Sequence, residues 1–347
     1  MGDIESPAPE AEPRAAAAAE NPFPGSRPYG EGDRLRFFGR QTAIDALSSQ
    51  ILVERCVTLH GPSGCGKSSL FAAGVLPLLE RERDVRAVVV KGWPDGLSPL
   101  EGFLQEMSET LRVARTTPEG NLPFDGARAR VERVLKWAMQ RSPRPILIYL
   151  DQVEQLIYPW RQDPAATDAL FEAIEAIADQ PVLGLSLVIA LREDFLGLLR
   201  ARLRHRPRLL DPGFRLSRLT IGEMADAACA AAAKGEPPQS WGREEVAAML
   251  LDFPAPGQPA AEESEIEAVY AQIVCRAQWD LWASTPNGEE RPRVSAKDTL
   301  RNYVDSTLRA LGPSEAAARV FLESELIDGN GSRKLLTADE AGEALAS

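Results

Sequence analysis

The chain has 347 residues, 44% of them hydrophobic and 26% charged, which excludes wholesale disorder and gives enough apolar material for two domains or three small ones. A formal net charge of −12 argues against a general nucleic-acid coat protein, although a local basic patch stays open. Cys56, Cys65, Cys229 and Cys275 form no CxxC pair, and His60 and His205 are the only histidines, so a zinc ribbon, a disulfide framework and a Ser-His-Asp triad are poor fits.

Residues 1–20 (MGDIESPAPEAEPRAAAAAE) read as a disordered, Pro/Ala/Glu-rich tail. They lack a basic region followed by an apolar one, so no secretory signal is expected. No apolar run reaches the length of a membrane span, and four isolated thiols fit a reducing compartment. The expected location is the cytoplasm, with no membrane partner. Order is expected from Asn21, where NPFPGSRPYG combines turn residues with the anchors Phe23 and Tyr29. Phe37-Phe38-Gly39-Arg40 follows, then an amphipathic stretch from Thr42 to Leu52.

The next pattern alternates. Short apolar runs at Cys56–His60, Val85–Lys91, Ile146–Leu150 and Leu185–Leu191 read as buried strands. Helical stretches fall at Lys67–Leu79, 99–114, 126–140, Asp168–Ala178 and Asp194–Leu203. Such alternation predicts a parallel sheet covered by helices on both faces, with a weak fifth strand around Phe214–Leu219. After Thr220 the strand signal stops. Helices are expected at Ile221–Ala233, Arg243–Leu251, Glu263–Trp282, Lys297–Leu311 and Pro313–Ser324. The end suggests a tight turn, a short extended piece and a helix.

Chemistry concentrates at Gly61-Pro62-Ser63-Gly64-Cys65-Gly66-Lys67-Ser68, which fits G-x-x-x-x-G-K-[ST] between a strand and a helix. The glycines let the backbone wrap closely around phosphates, and successive N–H groups at the helix start face the anion. Lys67 would bridge β- and γ-phosphate oxygens, Ser68 would ligate Mg²⁺, and Ser69 continues the loop. Cys65 reads as a small filler rather than a redox switch. Such a loop needs a carboxylate at the end of a neighbouring strand, and Asp151 closes ILIYL in that way. Glu154, three residues on, is a candidate base for water. No acid directly follows Asp151, which points to slow hydrolysis. Arg192, at the end of the fourth strand, could report on the γ-phosphate, because ligands meet parallel sheets at their C-terminal edge.

Taken together, NPFPGSRPY, FFGR, GPSGCGKSS, ILIYLDQVEQL and LVIALREDFLGLL resemble the novel STAND NTPases, relatives of AAA+ ATPases. The resemblance is specific through Phe195 and weaker beyond it. It implies an α/β P-loop NTPase domain over 21–219, a mostly helical domain over 220–290 and a winged-helix-like segment over 291–347. It also implies ATP or ADP with Mg²⁺ as cofactors, and signal transduction in bacterial regulation or in conflict systems such as phage defence. By the same resemblance, Lys67 and Ser68 meet phosphate and metal, Asp151 meets Mg²⁺, Arg192 is a sensor, and Phe38, Gly39 and Arg40 lie near the adenine. A protein partner or effector is implied, with self-association in the ATP state. Related proteins place a winged-helix His on the nucleotide. The last His here is His205, so that latch is not expected. Nor do the residues beyond the NTPase core leave room for an effector domain or a repeat array.

Arg200, Arg202, Arg204, Arg206, Arg208, Arg215 and Arg218 gather around one acid, Asp211. The i, i+2 spacing favours a solvated, internally paired face over a nucleic-acid surface. The stripe Ile266, Val269, Tyr270, Ile273 and Val274 reads as core. No N-K-x-D guanine reader and no transporter LSGGQ run is present. The expected function is a slow ATP-dependent switch. The alternatives are a non-hydrolysing nucleotide-gated scaffold and an ATP-dependent DNA-associated regulator.

Overall fold

A computed structural model describes residues 20–93, 97–113, 126–179, 184–255, 257–285 and 292–325, and of Tyr158 and Pro159 the backbone alone. The predicted tail up to residue 19, the Pro/Gly/Asn loop near 120, and the extended piece and helix after 325 lie outside these residues.

A 3₁₀ turn, Glu31–Arg36, leads into α1 (Gln41–Val53) and β1 (Cys56–Gly61). The phosphate-type loop opens α2 (Lys67–Ser69), which passes through one π turn, Leu70–Val75, into α3 (Leu76–Arg83). Then come β2 (Arg86–Lys91), α4 (Pro99–Leu111), α5 (Ala127–Arg141), β3 (Ile146–Asp151), α6 (Ile157–Gln162), α7 (Pro164–Asp179), β4 (Leu185–Arg192) and α8 (Leu196–Arg202). The chain continues through β5 (Gly213–Arg215), β6 (Leu219–Thr220), α9 (Ile221–Ala232), α10 (Arg243–Leu250), β7 (Glu265–Ile266), α11 (Ala268–Ser284), α12 (Ala296–Arg309) and α13 (Glu315–Val320).

Five strands form one parallel sheet in the order β2-β3-β4-β1-β5. Every residue of ILIYLD in β3 is buried, as a strand covered on both faces requires. One face packs Val88, Phe103, Met107, Val131, Leu135, Phe171 and Ile174 beneath α4, α5 and α7. The other packs Leu47, Leu59, Leu70, Phe71, Val75 and Tyr149 beneath α1 and α3. There Phe71 stacks on Tyr149 with ring centroids 3.7 Å apart. Each fully buried large apolar side chain contributes about 1.5–3 kcal/mol, so these two layers hold the sheet rigid under the site.

Two strand readings change. The carboxylate strand β3 is not the neighbour of β1, because β4 lies between them. The expected fifth strand divides. Gly213–Arg215 joins β1, while Leu219–Thr220 turns away and pairs antiparallel with Glu265–Ile266, a two-residue strand hidden in an acidic stretch.

The helical unit α9–α11 has its own core of Ile221, Met224, Ala225, Ala228, Trp241, Val246, Leu250, Ile266 and Trp279. A capping box starts α9. Thr220 Oγ1 accepts from the Glu223 N–H at 3.2 Å, and the Glu223 carboxylate accepts from the Thr220 N–H at 2.9 Å. Phe23 joins this core and stacks on Trp241 at 5.2 Å. Asn21 Nδ2 donates to Asp280 at 2.8 Å, and Arg276 donates to the Phe23 carbonyl at 3.1 Å. The NPFPGSRPY segment therefore straps the helical unit before the chain enters the sheet domain. Among the described residues, no helix is long and apolar enough to cross a membrane.

Candidate nucleotide site

The C-terminal ends of the strands, the N-terminal strap and the helices α9 and α11 enclose a cavity of about 520 Å³. At its floor the loop after β1 bends through Gly64 and Gly66 at φ +71° and +95°, the left-handed region that glycine enters without strain. Gly61 is required for a different reason, since a Cβ there would lie 2.2 Å from the Leu216 carbonyl oxygen. Lys67 Nζ folds back and donates to the carbonyls of Gly61 at 3.0 Å and Pro62 at 3.1 Å. The ammonium is thus held over the loop mouth by oxygens that a phosphate would replace.

Ser68 Oγ donates to Asp151 Oδ2 at 2.7 Å, bridging the loop to the strand two places away. Asp151 is 7% exposed, and its other oxygen accepts from the Gln152 N–H at 3.0 Å and the Tyr149 hydroxyl at 3.3 Å. Burial and the adjacent carboxylate raise the Tyr149 hydroxyl pKa well above its ordinary value, so it remains a donor. Ser68 and Asp151 are hard oxygen donors already gathered at one point, which suits Mg²⁺ completed by water and phosphate oxygens. Among the described residues, no group of three or more His, Cys, Asp or Glu side chains is placed to hold a metal by itself.

Glu154 lies on the 3₁₀ turn after β3 and is 6% exposed. Burial raises its pKa, and its Oε2 accepts the Arg192 backbone N–H at 3.3 Å. Arg192 stands opposite Gly61 in the β4/β1 register. Its guanidinium lines the cavity but is engaged by Asp194, through Nε at 3.1 Å and Nη2 at 2.5 Å, and lies over Phe195 at 5.2 Å.

Of the Phe38-Gly39-Arg40 segment, Phe38 and Arg40 line the cavity. Arg40 Nη2 donates to the Cys65 carbonyl at 2.7 Å, and burial lowers the guanidinium pKa. Arg40 therefore braces the loop itself. Gly39 lies against α9, where the Ala227 Cβ would be 3.0 Å from an added Cβ. Ser63, Gly64, Cys65, Gly66 and Ser69 line the cavity. The Ser69 hydroxyl accepts the Tyr29 N–H at 3.1 Å, and the Cys65 thiol is 1% exposed with its pKa raised by burial. A buried, protonated thiol is a filler rather than a reactive group.

Three contributors were not singled out for the site from sequence. Tyr29 and Gln272 also line the cavity, with the Tyr29 hydroxyl donating to Gln272 Oε1 at 2.9 Å. Arg218 reaches the loop from behind. Its Nη2 donates to the Ser63 carbonyl at 3.3 Å and to Glu267 at 3.4 Å, and Nη1 lies 3.8 Å from Glu265. Tyr29 carried a sequence signal as an aromatic anchor among turn residues and Arg218 as one of the arginine cluster, while Gln272 carried none. The other arginines of the cluster are largely paired within the chain: Arg200 with Asp211, Arg206 with Glu175, Arg208 with Asp179 and Arg215 with Glu193.

A five-stranded parallel sheet whose loop after β1 opens a helix, with Asp151 meeting Ser68 across β4, is the architecture of a P-loop NTPase. The family profile of Novel STAND NTPase 1 matches residues 22–253, and the chain belongs to that family. Solved structures share the fold. The Aeropyrum pernix ORC2 protein with ADPNP and ADP is 13% identical, covering 88% of this chain and 78% of that one at a TM-score of 0.57. Its ADP form is 12% identical over 89% and 79%, at 0.55. The Aeropyrum pernix ORC1 protein in complex with DNA is 17% identical over 88% and 76%, at 0.52. No curated protein matches the sequence.

Proposed function

We propose that this NTPase is an ATP-dependent switch with slow hydrolysis, in which the nucleotide fastens the helical unit to the sheet domain. The observation that carries this reading is the composition of the cavity wall. Lys67, Ser68 and Asp151 come from the sheet domain, Met224, Ala227 and Ala228 from α9, and Val269 and Gln272 from α11. A ligand spanning that wall binds both units at once, so its affinity biases their relative position. The alanines leave space for a flat ring, and the loop offers backbone donors for phosphate. The nucleotide-bound ORC2 structures support ATP or ADP as the ligand.

Asp151 and Ser68 would hold Mg²⁺, which supplies charge neutralisation at the phosphates. Glu154 is the candidate base, and its buried, partly engaged carboxylate fits slow turnover. Arg192 would exchange Asp194 for a γ-phosphate. The family resemblance supports signal transduction, with a protein effector and self-association in the ATP state, and a winged-helix-like segment over 291–347. The paired arginines give a DNA face no support of their own.

Titration calorimetry with ATP, comparing wild type with Lys67→Ala, tests the core of the reading. Equal affinities would sink it. Phosphate release that disappears in Glu154→Gln distinguishes a hydrolysing switch from a non-hydrolysing scaffold, which would show none in either protein. The solution mass with ADP and with a non-hydrolysable ATP analogue tests assembly, and an identical mass in both states would remove that part.

A further inference from the structure

Phosphate contacts are common to every nucleoside triphosphate, so the base must be selected elsewhere in the cavity. Phe38, Met224, Ala227, Ala228 and Val269 offer an apolar surface that stacks on any flat ring without distinguishing one from another. Gln272 on α11 is a polar side chain lining the same cavity. A free carboxamide turns to present a donor or an acceptor as the ligand demands. This one is oriented by the Tyr29 hydroxyl, which donates to its Oε1 at 2.9 Å and leaves the Nε2 end to donate. Among the described residues, its Nε2 has no hydrogen-bond partner.

Tyr29 is itself immobilised. It is 6% exposed, its ring lies against Phe37 at 5.3 Å, and its backbone N–H donates to Ser69 Oγ at 3.1 Å. Burial also raises its hydroxyl pKa, so it stays a donor across the neutral range. We infer that Gln272, locked by Tyr29, reads the base by donating an N–H to a ring nitrogen of adenine. The inference rests on the ATP reading above. N1, N3 and N7 of adenine all accept such a donor; guanine also accepts at N3 and N7 and carries a donor at N1, so a contact at N1 selects adenine whereas one at N3 or N7 reads a purine. The same Tyr29 touches the residue after Ser68, so base recognition and the phosphate loop share one rigid connection.

Nitrogen-by-nitrogen replacement tests this. ATP, 1-deaza-, 3-deaza- and 7-deaza-ATP and inorganic tripolyphosphate are titrated into wild type, Tyr29→Phe and Gln272→Leu. One deaza analogue should bind wild type roughly three- to tenfold more weakly than ATP, the effect of one lost hydrogen bond. That difference should vanish in Gln272→Leu and shrink in Tyr29→Phe, where the amide is free to turn. Tripolyphosphate should bind all three proteins alike, which also shows that the variants are folded. The inference is overturned if no analogue is discriminated, or if Gln272→Leu keeps the full discrimination. Wild type binding neither ATP nor tripolyphosphate would instead remove the ATP reading, and this inference with it.

Discussion

Gly39→Ala isolates how the sheet domain and the helical unit meet beside the cavity. Gly39 holds φ at +81°, where a residue with a Cβ is strained by about 1–2 kcal/mol. Its added Cβ would also lie 3.0 Å from the Ala227 Cβ and 3.6 Å from Leu219 Cδ1, so α9 must retreat by a few tenths of an ångström. Torsion and crowding together should lower stability by ~2–3 kcal/mol, read as a shift in the urea midpoint at constant slope. Because α9 carries Met224, Ala227 and Ala228 on the cavity wall, ATP affinity should fall with it. Ala227→Gly removes the opposing methyl at about 1 kcal/mol for glycine inside a helix. In the double variant the crowding disappears but the torsion stays, so the combined loss should be ~0.5–1 kcal/mol smaller than the sum. Strict additivity would refute the contact. Wild-type stability in Gly39→Ala alone would refute both the torsion and the contact.

Glu154→Gln should stabilise the protein in a pH-dependent way. Burial raises the folded pKa above the ordinary 4.5, so as pH rises past that value the unfolded chain ionises first and wild type loses stability until the raised pKa is passed. The variant's melting temperature should therefore exceed wild type's at neutral pH and match it below about pH 4, and a pH-independent difference would contradict the buried-carboxylate account. Asp194→Ala breaks a half-exposed ion pair, so stability should change by less than ~1 kcal/mol. The freed Arg192 should raise the preference for ATP over ADP severalfold, and an unchanged ratio would argue against its sensor role. Arg218→Ala removes charge-assisted contacts to Ser63 and Glu267, worth ~1.5–3 kcal/mol. Release of a fluorescent ADP analogue should quicken roughly tenfold or more, and an unchanged off-rate would show that the contact does not hold the helical unit against the loop.

The P-loop was legible because its geometry is local. Glycine spacing, the following Lys-Ser and the flanking apolar runs all lie within a few residues. Asp151 was legible for a related reason, since an apolar strand ending in Asp has one chemical use beside a phosphate loop. The interposition of β4 was not, because strand order is a property of the whole sheet and apolar runs such as ILIYL and LSLVIAL read alike. Leu219 looked like the end of a fifth strand because the true pairing partner of Leu219–Thr220, Glu265–Ile266, carries an acid and only two residues of extended chain. Gln272 was invisible for the same reason: a glutamine on an amphipathic helix gains meaning only when Tyr29, 243 positions away, occupies its carbonyl.

The charge distribution acquires a structural purpose at this junction. Residues 219–347 hold 11 basic and 22 acidic residues, while 21–218 are near neutral with 27 and 24. The acidic unit meets the phosphate loop where Glu267, the N-cap residue just before α11, comes to 3.7 Å from the Cβ position of Gly64. A carboxylate beside a phosphate-binding loop opposes the very ligand the loop is built to take. Arg218, with its side chain 17% exposed, lies between them and engages Glu265, Glu267 and the Ser63 carbonyl together. One arginine therefore offsets the two carboxylates that this end of the helical unit brings to the loop. The contact that offsets these acids also ties the helical unit to the loop, so a shift of that unit would change the charge beside the loop with it.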